Sequence, residues 1–186
     1  MRLIYETDPR LRNISSGVEN PADLKDILRD MEHIMRTYEG IGLAAPQVGI
    51  PIRALIIDMA FISAKQGEEG LISEKTLAST HENPAENPIL HIINPRIISC
   101  DSNMSDYEEG CLSLPTIYAN ITRPETIEIE YVNTSGIRKN LKAAGILARV
   151  LQHEIDHLNG KLFTDHISPI KRKFLLNRLH KLLKSQ

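Results

Sequence analysis

Residues 126–158 read TIEIEYVNTSGIRKNLKAAGILARVLQHEIDHL, and their pattern decides the fold. Ile127, Ile129 and Tyr131 alternate with Glu128 and Glu130, the period of a half-buried strand. Asn133-Thr134-Ser135-Gly136 is a turn and Ile137 to Leu141 runs back, so a β-hairpin is predicted. From Ala143 to Leu158 the spacing becomes helical, with Asn159-Gly160 as the stop. His153 and His157 stand four positions apart in that helix. Four residues turn an α-helix by about 400°, so both imidazoles leave from one face. They can share one Zn²⁺-like ion while Glu154, between them, acts as a base rather than a ligand.

Working outward, Asn20-Pro21 reads as an N-cap followed by proline at the first helical position. Leu24, Ile27, Leu28, Met31, Ile34, Met35 and Tyr38 recur at helical spacing, with Gly40 as the stop. This apolar stripe is read as core packing and His33 as a surface or packing residue. Ile52 to Met59 is a buried strand. Ile89 to Asn94 and Arg96 to Ser99 are extended, broken by Pro95. Between them, Ser63 to Pro88 carries the loop signal Gly67-Glu68-Glu69-Gly70 and a polar stretch with two prolines. It is read as a long loop inside one domain, not a linker. His81 and His91, in or beside it, are read as polar side chains rather than ligands. Ser168-Pro169 opens a last helix. Its basic residues, Lys171, Arg172, Lys173, Arg178, Lys181 and Lys184, have no acidic neighbour in the sequence, and Ile170, Phe174 and Leu182 are assigned to the face against the body. The expectation is a single α+β domain over residues 1–186. Antiparallel or mixed strands pack around a central metal-binding helix, with N-terminal and C-terminal helices.

Composition narrows the classes. The chain has 186 residues, 41% hydrophobic, enough for one domain with a core. Its 22 Lys+Arg against 24 Asp+Glu give −2, which argues against a general DNA binder. No apolar run approaches the ~20 residues of a membrane span. The start, Met1 to Asp8, has an acid and no apolar segment of the signal-peptide kind. A cytoplasmic, monomeric protein is expected, with Cys100 and Cys111 as reduced thiols rather than a disulfide.

Two imidazoles under-coordinate a catalytic metal, which takes three protein ligands and keeps one open position. No Glu follows Glu154, and the position a third histidine takes in one protease class is Phe163. Asp165 and His166 remain as downstream candidates. By elimination Cys111, in Glu109-Gly110-Cys111-Leu112-Ser113, is the best third ligand. A thiolate with two imidazoles suits Fe²⁺, Zn²⁺, Ni²⁺ or Co²⁺ and not Mg²⁺ or Ca²⁺. The plainer reading of Cys111 is a small buried hydrophobe. Its flanks speak against that, since Gly110 admits close backbone approach and Leu112 supplies an N–H. The stretch from Gly40 to Gly49, GIGLAAPQVG, is too small-sided to fill a core layer, so something approaches its backbone. The Gln47 amide there can donate to a carbonyl oxygen. The glycine spacing fits no phosphate loop.

Together, Gly40-Ile41-Gly42-Leu43-Ala44-Ala45-Pro46-Gln47, Glu109-Gly110-Cys111-Leu112-Ser113 and Gln152-His153-Glu154-Ile155-Asp156-His157 resemble the three signature motifs of the peptide deformylases, intact and in order. The stretch from Ser63 to Pro88 is longer than that resemblance calls for. The resemblance implies removal of the N-formyl group from formyl-methionine at the start of nascent peptides, with release of formate. It implies one divalent metal per chain, natively Fe²⁺ and replaceable by Zn²⁺, Ni²⁺ or Co²⁺, held by Cys111, His153 and His157. Glu154 then takes a proton from water and delivers it to the leaving amine. The Gln47 amide and the Leu112 backbone N–H face the developing oxyanion. Glu109 and Gln152 belong beside the metal or in the pocket wall.

Ile41 and Gly42 are further pocket candidates. Ile146 and Val150 precede His153 by seven and three positions and share its face. They either line a methionine pocket or pack in the core. Arg149 lies on that face too, with no role assigned. The basic last helix is either a solvated face or, given the family's role, a ribosome contact. An internal-bond metalloprotease and a non-catalytic metal-binding protein are the rival readings.

Overall fold

Asn20 opens the first helical stretch through its side chain, which accepts a hydrogen bond from the Ala22 N–H at 3.3 Å. The computed structural model describes residues 1–66 and 88–184. In it the opening turn is 3-10 (Pro21–Leu24) and leads into α1 (Lys25–Thr37). Leu28, Met31, Ile34 and Met35 are the buried stripe of α1, whereas Tyr38, expected in it, is 46% exposed. The helix ends one residue earlier than its glycine suggested. Glu39 takes the left-handed conformation (φ 54°), and Gly40 N–H bonds the Met35 carbonyl at 2.8 Å.

Strands β1 (Gly42–Ala44) and β2 (Ala54–Asp58) pair antiparallel, and β3 (Ile89–Cys100) continues the sheet beyond β2. The continuous apolar run of β2 follows from burial on both faces. Leu55 and Ile57 join one core cluster, Ala54 and Ile56 another. β2 ends earlier than Met59, because the Asp58 carboxylate accepts from the Ala60 and Phe61 N–H groups and caps α2 (Met59–Gln66). Residues 63–66 are therefore helical rather than the start of the loop. Residues 67–87, with His81, lie outside the described residues. Pro95 does not break β3. The strand absorbs it with a register shift between Ile93 and Arg96, beside Asn94 at φ 51°. The Asn94 side chain is tied to the Val18 N–H and carbonyl, each at 2.8 Å.

β4 (Met104–Cys111) and β5 (Leu114–Pro124), neither of them expected from the sequence, form a separate two-stranded sheet. The predicted hairpin is β6 (Thr126–Val132) and β7 (Arg138–Ala144), turned by the Asn133 side chain accepting from the Ser135 and Ile137 N–H groups. The five-stranded sheet runs β1-β2-β3-β6-β7, and every strand pairing is antiparallel. Ile127, Ile129 and Tyr131 point from β6 into the core that α3 (Gly145–Leu158) closes with Leu147, Leu151 and Leu158. α3 stops as read, with Gly160 left-handed at φ 69°. The last helix, α4 (Pro169–Lys184), packs on β5 through Leu175 and Leu179. Ile170 and Phe174, assigned to the inner face, are 85% and 69% exposed. Leucines at several helical angles left the stripe ambiguous. No helix among the described residues is long and apolar enough to cross a membrane.

Candidate active site

The central helix brings its two imidazoles to the hairpin that carries Cys111. The donor atoms of Cys111, His153 and His157 all lie within 4.8 Å of one another. Cys111 Sγ sits 3.3 Å from His157 Nε2. His153 Nδ1 is taken by the Glu109 carboxylate at 2.9 Å, which leaves Nε2 for the cluster. One thiol and two buried imidazoles with their donor atoms this close together are a set that suits a borderline-soft divalent ion. Both cysteines are free, Cys100 at the surface. Asp165 and His166 do not join the cluster. Asp165 pairs with Arg12 and Arg172, and His166 with Asp156.

Glu154 is buried beside the triad, and its Oε2 has no hydrogen-bond partner among the described residues. Burial, helped by the Glu109 charge and opposed by His153, pushes its carboxyl up to about 7. Gly42 explains the small-residue stretch. A Cβ there would lie 2.6 Å from Glu154 Oε1 and 2.9 Å from Val150 Cγ1. The bare backbone of β1 thus packs directly on the carboxyl. Gln47 is fixed by its side-chain amide oxygen, which accepts from the Ala44 N–H at 2.7 Å. That turns its NH₂ toward Cys111 Sγ and Ser113 Oγ, each at 3.4 Å.

A cavity of about 520 Å³ opens over these groups, a size suited to a few residues of a peptide. Ile41, Gly42, Ile146 and Val150 line it, and so do Glu109 and Leu112. Val150 and Ile146 also pack on the core, so both of the sequence-level readings describe them. Leu112 occupies the turn between β4 and β5. Phe163, at the position a third histidine could have taken, stacks on His153 with centroids 6.0 Å apart.

Behind the triad is an ion network that the sequence reading did not find. Arg123 gives Glu109 two hydrogen bonds, at 2.7 and 3.0 Å, and reaches Asp156 at 2.7 Å. Arg149, left without a role, bonds Glu109 at 3.2 Å, the Ile121 carbonyl at 2.9 Å and the Ser105 carbonyl at 2.7 Å. Burial would raise the Glu109 carboxyl, but His153 and Arg123 hold it down to about 2. It is therefore a fixed anion that orients His153. The signal for Arg123 was its parity. Ile117, Ala119 and Ile121 are the inward positions of β5, and Arg123 continues that series. A charge at an inward position requires a partner. Gln152 directly precedes His153 on α3. Its amide donates to the Pro124 and Ala148 carbonyls, tying α3 to the end of β5.

Fold and site together define a metal-dependent hydrolase of the α+β class. A model of the polypeptide deformylase family matches residues 1–173. The chain belongs to the peptide deformylase family. It is 41% identical over 185 residues to a peptide deformylase of Rhizobium meliloti, covering 99% of this chain and 94% of that one. To the peptide deformylase of Brucella suis it is 42% identical over 181 residues, 97% and 91% of the two chains. Among solved structures, the peptide deformylase of Ehrlichia chaffeensis superposes with a TM-score of 0.83 at 32% identity, over 100% of this chain and 97% of that one. A complex of the Ehrlichia chaffeensis peptide deformylase with actinonin gives 0.81 at 34% identity, over 97% and 96%.

Proposed function

We propose that this chain removes the N-formyl group from formyl-methionine at the start of nascent peptides and releases formate. The carrying observation is the meeting of Cys111, His153 and His157 with Glu154 and Gln47 at one apolar-walled cavity. Cys111, His153 and His157 would hold a divalent cation, which when bound would supply positive charge to polarise the formyl carbonyl and lower the pKa of water. Glu154 takes the proton of the attacking water and returns it to the amine that leaves. As the formyl carbon becomes tetrahedral, charge builds on its oxygen. The Gln47 amide and the Leu112 backbone N–H donate to that oxygen. Ile41, Ile146 and Val150 wall the methionine side chain. A formyl carbon carries only a hydrogen, so a tight site there excludes an acetyl group by shape. Glu109 and Arg123 keep His153 in the tautomer that presents Nε2.

On this reading Fe²⁺ is the native ion, residues 1–186 act as one unit, and the protein is a cytoplasmic monomer. Protein purified without oxygen should carry about one equivalent of iron per chain by elemental analysis. It should release formate from formyl-Met-Ala-Ser while leaving acetyl-Met-Ala-Ser and internal peptide bonds intact. Cleavage of internal bonds without formate release would favour the metalloprotease reading. Gln47→Ala should lower kcat by about 10²–10³-fold, the usual cost of one oxyanion donor. A rate within twofold of wild type removes Gln47 from the mechanism.

The basic outer face of α4 is proposed as a contact for ribosomal phosphates. Co-sedimentation with ribosomes should then weaken with salt and vanish when residues 169–186 are deleted. Equal, salt-insensitive sedimentation of both forms would rule the contact out.

A further inference from the structure

The first residues of the chain run past the site before the helices and strands begin. Met1 and Arg2 are exposed, whereas Leu3 and Ile4 are buried. The Ile4 N–H donates to the backbone carbonyl of Gln47 at 2.8 Å, and the Glu6 N–H to the backbone carbonyl of Ser113 at 2.9 Å. Residues 4 and 6 thus bond to one side, as alternate residues of a strand do. They form a short strap across two pieces of chain 66 positions apart. One piece carries Gln47. The other follows Leu112, whose N–H is the second donor to the oxyanion in the reading above. Leu3 and Tyr5 pack in the same apolar cluster as Val48 and Leu112, so side chains support the strap as well as backbone.

The last helix braces the end of this strap. The Glu6 side chain is 11% exposed, and its carboxylate accepts from His180 Nε2 at 2.7 Å. A carboxylate covered to that degree requires a partner, and His180 is the one it has among the described residues. His180 follows Leu179, which is fully buried on β5 in the apolar cluster that Cys111 also touches. The brace therefore joins the two ends of the chain, 174 positions apart, beside the site. Neither Glu6 nor His180 lines the cavity.

We infer that Glu6 and His180 are positioning residues for the reaction. The brace from α4 fixes the strap, and the strap holds the Gln47 amide and the Leu112 N–H in register. The inference rests on the deformylase reading above. The two donors come from separate segments, so their spacing is set only where those segments are tied together. The contacts of Gln47 Nε2 with Cys111 Sγ and Ser113 Oγ, each 3.4 Å, are long and leave that spacing loose. The two backbone bonds of the strap are short, and they act on the same two segments. A displacement of ~1 Å in a reacting geometry can lower the rate ~10²-fold, so a modest slackening is felt in turnover. The last helix then contributes to catalysis without reaching the substrate.

The test assays formate release from formyl-Met-Ala-Ser by the metal-loaded protein as wild type, His180→Ala, Glu6→Ala and Glu6→Gln. His180 is 41% exposed, so its truncation leaves the core intact. His180→Ala and Glu6→Ala should each lower kcat about tenfold. KM should stay within about twofold of wild type, because the oxyanion forms only in the transition state. Glu6→Gln keeps an acceptor for the imidazole N–H and should hold kcat within about twofold of wild type. In a Gln47→Ala background, adding His180→Ala should lower kcat by no more than about twofold, since no pair of donors is left to align. Independently of turnover, amide hydrogen exchange across residues 3–6 should quicken in His180→Ala and not in Glu6→Gln. A wild-type kcat in His180→Ala, an equal loss with and without Gln47, or unchanged exchange overturns the positioning role alone. A wild-type protein that releases no formate overturns the deformylase reading instead, whatever the exchange shows, and the positioning role falls with it.

Discussion

Glu154→Gln should lower formate release by about 10²–10⁴-fold, the contribution of a positioned acid–base group, while metal content stays at the wild-type level. The geometry makes this substitution informative. Glu154 is packed under Gly42 and Val150, and glutamine has nearly the same shape, so the β1 backbone need not move. The side chain is not among the three donors that converge on the ion site. What is lost is the capacity to take a proton. Elemental analysis and a thermal melt should match wild type, so that the loss lies in kcat. A variant that turns over formyl-Met-Ala-Ser at the wild-type rate would remove Glu154 as the base. Glu154→Ala would be less clean, because it empties a buried volume next to Val150 as well.

Cys111→Ala should lose the ion and, with it, essentially all turnover. The remaining imidazoles leave the cation two protein ligands, fewer than a catalytic centre uses. The fall in affinity should exceed the ~10–100-fold that follows from altering a residue that merely orients a ligand. Glu109→Gln provides that comparison, since Glu109 acts on His153 without being a donor of the triad. Metal content measured after dialysis against a weak chelator should rank wild type, Glu109→Gln and Cys111→Ala in descending order. Unchanged content in Cys111→Ala would exclude the sulfur from the site.

The parts of this molecule that could be read in advance share one property: several local signals coincide. In β6 and β7 the alternation of Ile127, Ile129 and Tyr131 agrees with the Asn133–Gly136 turn. In α3 the helical spacing agrees with the glycine stop at Gly160. The two imidazoles and Glu154 follow from spacing alone, and Cys111 from ligand counting. β4 offered nothing comparable. Its residues from Met104 to Glu108 are mostly exposed and polar, and the strand is held by its backbone ladder to β5. Without β4, Glu108 and Glu109 are indistinguishable neighbours in sequence. With it, one faces solvent and the other is buried against His153, Arg123 and Arg149. Arg123 was missed for the same reason, because its partners come from β4 and α3. Pairings between distant segments carry no local periodicity, and the ion network is of that kind.

The triad is divided between two pieces of the fold, the sulfur hanging from the β4–β5 hairpin and the ring nitrogens from α3. A cation seated among them is thus a clamp across segments that no disulfide joins. Any ion that binds the closed arrangement and ignores the open chain adds its binding free energy to the folding equilibrium. A cell short of metal would accordingly hold not only an idle enzyme but a looser one, more open to proteolysis, so that abundance itself would follow the supply of the ion.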